Sequence, residues 1–169
     1  TSEQSLEFTW QSSLFYLAAY TVANLSIFLV VSLIQQHNIR SGNQEDITLL
    51  DLKGLFWRAP SYGFLMLLGV LSLAGIPLTM GFIGKFYILS QATIANAWWL
   101  ISILIIGSGI GLAYYLPIIF KVFSNVVITS PEDKKIKSHF IEQTLIYSLI
   151  TLGLVLGILP DMVNQLIRS

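Results

Sequence analysis

The stretch SLAGIPLTMGFIGKFYILSQ, residues 72–91, decides the fold. It is nearly all apolar, with small residues throughout, and reads as membrane sequence. Yet it holds a helix breaker, Pro77, and a cation, Lys85, with no other charge close by in sequence. With its upstream flank, the apolar run covers about 61–90. A helix of about 30 residues would reach about 45 Å, against a hydrocarbon core near 30 Å. Tilt would absorb part of the excess; an unwound middle would absorb it too. Pro77 has no N–H and its ring clashes with the carbonyl of Leu73, Gly75 sits just before it, and Thr79, Gly81 and Gly84 follow. Two half-helices joined near Pro77 are therefore expected. An ordinary proline kink is the competing reading, because neighbouring helices can repair the lost bonds. Irregular backbone at membrane depth survives only when buried in protein or facing a polar cavity, and in transporters such breaks mark ion sites.

Lys85 sharpens the question, as the one formal charge in the central part of any apolar run. A lysine at a helix centre costs about 2.5–3.5 kcal/mol on insertion scales. One reading is snorkelling: Ser90 lies five residues on, about 7–8 Å of helix, within reach of a flexible stem. The other is a titrating lysine facing the bundle interior, where desolvation disfavours the ammonium and eases proton release. Gly81 and Gly84 leave room there for water or another helix, and Ser72, Thr79 and Tyr87 offer hydroxyls, although such residues also serve packing.

Three further runs are long and apolar enough to span: about 13–34, about 98–123 and about 141–160. Backbone groups in lipid need internal partners, so all are expected to be helical. The fold class expected is an all-α integral membrane protein of four transmembrane helices, the second broken near Pro77, forming a single transmembrane region over 1–169. Trp10, Trp57, Trp98 and Trp99 fall at or just outside the ends of these runs, where amphipathic rings collect at headgroup level. In the third run, Gly107, Gly109 and Gly111 permit close helix approach. Tyr114 and Tyr115 sit deep enough to need hydrogen-bond partners, and Pro117 implies a second kink. Glu142 opens the fourth helix, where a carboxylate suits the positive helix end; no proton role is assigned to it.

Four crossings place loops 35–58 and 121–140 on one side, with Arg40, Lys53, Arg58, Lys121, Lys134, Lys135 and Lys137, and leave Arg168 on the other. That asymmetry makes the two charged loops cytoplasmic and puts both chain ends on the opposite side. Composition agrees with a membrane class: 54% of residues are hydrophobic and 11% charged, against about 25% charged in soluble domains. Zero net charge gives no electrostatic footprint for nucleic acid. No cysteine is present, so no disulfide or thiolate metal site is expected. His37 and His139, both in polar stretches, do not suggest a metal site either. TSEQSLEFTWQSS at the start lacks methionine and a basic n-region, so it is not read as a signal peptide; it reads as the middle of a longer protein.

At GLFWRAPSYGFLMLLGVLSLAGIPLTMGFIGKFYILSQ, residues 54–91, the sequence resembles the antiporter-like membrane subunits of bacterial NADH–quinone oxidoreductase, respiratory complex I. The likeness continues through AWWLISILIIGSGIGLAYYL and weakens over 124–169. GLFWRAP together with LAGIPLTMGFIGKFY favours subunit N over its sisters, as does a lysine at 85, where subunit M typically carries glutamate. The resemblance implies the C-terminal part of a subunit of roughly fourteen helices. It also implies a proton-translocating role in a bacterial inner membrane without a redox cofactor in this chain. Partners would be other membrane subunits of the complex, its antiporter-like sisters and small multi-pass subunits. Among site residues it implies Lys85 as a protonatable residue of the outward half-channel, Pro77 as the helix break and Tyr114 near the proton route. A multisubunit cation/proton antiporter or membrane-bound hydrogenase shares these marks, and a non-transporting structural fragment is a third reading. Two departures stand out. The family's upstream glutamate and lysines lie outside this sequence. Ala113 and Pro117 occupy positions where many relatives carry a further aromatic and a basic residue.

Overall fold

The computed structural model describes residues 2–40, 47–125 and 140–158, with side chains from residue 9 onward. Helix α1, Ser2–Arg40, is the spine. Its apolar run ends near residue 34, but the helix continues through the polar residues on both sides, reaching about 58 Å. It thus projects beyond a hydrocarbon core of about 30 Å.

The expected break is real. Helix α3, Pro60–Ala74, and helix α4, Met80–Ile94, are separate elements joined by residues 75–79. Each has 15 residues, about 22 Å, too short to cross alone. They lie end to end against α1, running antiparallel to it. Val30, Leu33 and Ile34 pack with Leu65, Met66 and Val70 of α3. Phe15, Ala19 and Ala23 pack with Met80 of α4. Lipid tails are as apolar as these side chains, so close packing, rather than removal of oil from water, holds the helices together. Glycine sets the approach: a Cβ on Gly69 would lie 2.9 Å from the Ala23 carbonyl oxygen, and one on Gly84 3.0 Å from the Tyr16 Cα.

Helix α2, Leu55–Arg58, is a single turn that leads into α3 through Ala59. Helix α5, Trp98–Phe123, runs through Pro117 without interruption. Helix α6, Phe140–Ile158, covers the described part of the fourth expected span; residues 159–160 lie outside the described residues. Helix α1 from Thr9, α5 and α6 are each long and apolar enough to cross a membrane, and the two 15-residue halves α3 and α4, end to end, together reach about 45 Å.

One end of the bundle gathers the charged connections. Gly54 N–H donates to the Lys121 carbonyl at 2.9 Å, and Trp57 Nε1 donates to the Phe123 carbonyl at 3.1 Å. Tyr62 Oη donates to Glu142 Oε2 at 3.4 Å, and Arg40 Nη1 lies 4.0 Å from Glu142 Oε1. Arg40, Lys53, Arg58 and Lys121 therefore share this end; Lys134, Lys135, Lys137 and Arg168 lie outside the described residues. At the other end, Thr9 Oγ1 donates to Gln91 Oε1 at 3.2 Å. All four tryptophans are exposed.

The turn before α2 carries a local pH dependence. Thr48 donates to Asp51 Oδ2 from its backbone N–H at 2.8 Å and its hydroxyl at 3.1 Å. The backbone donation above all holds the Asp51 carboxyl below the usual carboxylate range. Its contribution is present above the unfolded value near 3.9 and is lost as pH falls through the lower folded value. Hydrogen exchange at the Thr48 amide, relative to its intrinsic rate, should therefore lose protection at acid pH. In Asp51→Asn it should be weakly protected at every pH; full protection in that variant would refute the assignment.

Candidate functional site at the helix break

Helix α3 ends in a Schellman arrangement. Gly75 adopts φ 77°, its N–H reaches the Ser72 carbonyl at 3.0 Å, and Ile76 N–H reaches the Leu71 carbonyl at 3.1 Å. Ile76–Thr79 then closes as a turn, Thr79 N–H donating to the Ile76 carbonyl at 3.2 Å. Pro77 holds the second turn position, and Leu78 the third at φ 75°, the pattern of a type II turn, in which glycine is usual. A leucine in that conformation costs about 1–2 kcal/mol. Thr79 caps α4: its Oγ1 donates to the Ile76 carbonyl at 2.7 Å and accepts from Phe82 N–H at 3.4 Å. Its hydroxyl is thus committed to capping and lines neither of the cavities beside Lys85.

The two half-helices touch where α4 begins. Gly81 N–H, an orphan of the first turn, donates to Ser72 Oγ at 3.0 Å. Both residues are buried. The room that Gly81 and Gly84 leave is occupied by helix backbone, of α3 and α1 respectively.

In an unbroken helix, the Leu73 carbonyl would accept from the N–H of residue 77 and the Ala74 carbonyl from that of residue 78. Proline at 77 has none to give. Lys85 takes over: its Nζ donates to the Leu73 carbonyl at 2.9 Å and approaches the Ala74 carbonyl at 3.4 Å. An ammonium at a helix C-terminus also meets the negative end of the helix dipole. Proline and lysine in one apolar segment are thus parts of one device.

The direction of Lys85 discriminates between the two sequence readings. Side chains on a helix tilt toward its N-terminus, so Lys85 leans away from Ser90 and toward the break. It sits opposite Leu104 and Ser108 of α5, six to ten residues from Trp98, about 9–15 Å of helix. Its bonds to Leu73 and Ala74 point it away from that nearer edge, so the snorkelling geometry is not adopted.

Cavities flank the lysine. One of about 290 Å³ is lined by Tyr16, Tyr20, Ser72, Lys85, Ser108 and Tyr115, among others. The other, of about 240 Å³, includes Gly75, Phe82, Lys85, Phe86 and Ser108. Lys85 and Ser108 line both, and no carboxylate among the described residues lines either.

Of the residues singled out from sequence, Pro77 and Lys85 meet at this site, and Tyr114 does not. Tyr114 is 74% exposed, turned about 100° from Tyr115, which shares the face of Leu104, Ser108 and Gly111. Tyr87 packs edge-on against Phe15, ring centroids 5.7 Å apart, in the α1–α4 core. A Cβ on Gly107 or Gly109 would meet nothing within 4 Å, so the expected close approach at these two is not made among the described residues. Tyr16 and Tyr20 went unnoticed in the sequence, although their four-residue spacing inside an apolar run is a readable sign of one polar helix face.

Residues 5–111 match the family described as NADH:quinone oxidoreductase/Mrp antiporter, TM. The chain belongs to that family. The match takes in α1 from residue 5, the whole break and α5 as far as Gly111; α6 lies beyond it. Among relatives, NADH-quinone oxidoreductase subunit N of Methylococcus capsulatus (strain ATCC 33009 / NCIMB 11132 / Bath) is 46% identical over 105 residues, 62% of this chain. That stretch is 20% of the relative's own length. The relative's name agrees with the branch to which GLFWRAP and LAGIPLTMGFIGKFY pointed. This family member is a membrane protein.

Proposed function

We propose that this chain is the C-terminal part of a proton-translocating membrane subunit of bacterial NADH–quinone oxidoreductase, and that Lys85 carries the proton. The observation that supports this reading is the ammonium at a helix break, bonded to the carbonyls of Leu73 and Ala74 and bordered by two cavities with room for water. A cavity near 290 Å³ exceeds the roughly 30 Å³ that a water occupies in the liquid several-fold. Proton exchange between Lys85 and such water breaks one N–H bond and forms one O–H bond. It also withdraws the cation from the dipole of α3, so charge state and the hold on the break change together. Electrons move elsewhere in the complex, and their passage alters charges along the membrane arm. Driving one charge against 100 mV takes about 2.3 kcal/mol, a quantity that a change in the surroundings of one buried cation can supply. On α5, Ser108 and Tyr115 line the larger cavity with this lysine, and Ser108 the smaller one too.

In this reading the end with Arg40, Lys53, Arg58 and Lys121 faces the cytoplasm across the inner membrane. The exposed apolar face of α5, with Ile106, Ile110 and Tyr114, meets lipid and the other membrane subunits. The family description also covers Mrp antiporters; the name of the 46% identical relative favours the oxidoreductase.

The test is Lys85→Ala in the intact complex. Proton pumping coupled to quinone reduction should fall by about tenfold or more, since a positioned proton-transfer group typically contributes about a hundredfold or more. Wild-type pumping would overturn the proposal.

A further inference from the structure

Helix α1 has two faces. Phe15, Ala19, Ser26 and Val30 are buried in the bundle. On the opposite side, Trp10, Leu14, Leu17, Thr21, Asn24 and Phe28 follow one another at alternating steps of four and three residues, which sets them in one stripe along the helix. All are exposed except Asn24, which is partly so. Toward the charged end the stripe runs into a groove of about 890 Å³ bordered by Phe28, Ser32 and Gln35, among others. Thr21 and Asn24 lie close to the middle of the apolar run 13–34. Thr21 Oγ1 donates to the Leu17 carbonyl at 2.8 Å, and Asn24 Nδ2 donates to the Tyr20 carbonyl at 2.8 Å. A carboxamide has two N–H donors and an oxygen with two lone pairs. The second N–H of Asn24 and its Oδ1 have no partner among the described residues. The outer face of α5 differs: its exposed Ile103, Ile106 and Ile110 ask nothing polar of their surroundings.

We infer that this stripe is an interface with a transmembrane helix from earlier in the same polypeptide, and that Asn24 is its polar key. A hydroxyl or carboxamide on that helix, at the same depth, accepts from Asn24 Nδ2, donates to its Oδ1, or both. The inference rests on the reading of the chain as the C-terminal part of a longer subunit. Lipid tails offer neither donor nor acceptor, so an amide left open at mid-membrane is unfavourable among them. Between helices, asparagine is bonded across the interface. The four-and-three spacing is that of helices packed at a shallow left-handed crossing. The matched stretch is 20% of the relative's length, which leaves most of such a subunit to supply the partner. A helix of the same polypeptide is also held near without a separate association step.

Phe28→p-benzoylphenylalanine places a photoreactive aromatic on the stripe in the intact complex. After irradiation, mass spectrometry of the cross-linked peptides is expected to find an earlier transmembrane segment of the same polypeptide. Adducts confined to phospholipid, or to another subunit, would overturn the inference. Asn24→Leu reads the key independently. Subunit content of the native complex should fall about threefold, the size of one interhelical side-chain hydrogen bond. Content at or above wild type would mean that lipid solvates this face, since leucine suits lipid better than asparagine, and would overturn the key. Neither measurement involves proton transfer. Wild-type pumping in Lys85→Ala removes the proton carrier and leaves this interface standing, whereas phospholipid adducts at position 28 remove the interface alone. A native polypeptide without an earlier transmembrane segment would remove the longer-subunit reading and the interface with it.

Discussion

Alanine at position 81 should prevent the subunit from accumulating in the assembled complex. A Cβ there would lie 1.9 Å from the Ser72 carbonyl oxygen and 2.7 Å from its carbon, and a backbone group cannot rotate aside as a side-chain tip can. Relief requires the two half-helices to separate, which breaks the 3.0 Å bond from Gly81 N–H to Ser72 Oγ. Overpacking alone costs about 1–3 kcal/mol, and more where backbone must move. A buried N–H left without its partner adds about 1–3 kcal/mol. Gly107→Ala is the contrast, because a Cβ there meets nothing within 4 Å; its effect should stay within about 0.5 kcal/mol. Subunit content of the native complex and its thermal midpoint read both variants. Normal assembly of Gly81→Ala would mean that the half-helices are not joined as described. Damage from Gly107→Ala would reveal another helix seated on that face of α5.

Much of this architecture was legible because lipid leaves the chain few choices. Runs of about twenty apolar residues must be helices, and all four were readable from hydropathy alone. The extension of α1 beyond residues 13–34 was not, because hydropathy marks where lipid ends and not where hydrogen bonding ends. Pro77 and Gly75 announced an interruption, but kink and break differ in tertiary contacts: Ser72 meeting Gly81, and Lys85 reaching back to Leu73. The lean of Lys85 could have been anticipated from the tilt of every helical Cβ. The choice between Tyr114 and Tyr115 could not. Both faces of α5 are apolar with small residues, and only the position of α1 and α4 decides which one turns inward.

Lys85 has two roles that single substitutions confound, and Pro77 offers the means to part them. Lys85→Ala should lose pumping, but it also leaves the Leu73 carbonyl without a donor at the break. In this part-buried setting the loss costs up to about 1–3 kcal/mol and lowers complex content by itself. Lys85→Arg keeps a cation with several donors at the end of α3 but holds its proton at any physiological pH. It should restore assembly toward the wild-type level while pumping stays at least about tenfold down. The double variant Pro77→Ala/Lys85→Ala goes further, because alanine at 77 returns the N–H that meets the Leu73 carbonyl once the chain runs on as one unbroken helix. Assembly should then exceed that of Lys85→Ala alone, with a coupling of about 1–2 kcal/mol in the double-mutant cycle, and pumping should remain absent. Strictly additive effects at 77 and 85 would dissolve the link between the missing amide and the lysine. Normal pumping in Lys85→Arg would make the side chain a helix cap alone, since a guanidinium that never releases its proton can hold two carbonyls but cannot pass a proton onward.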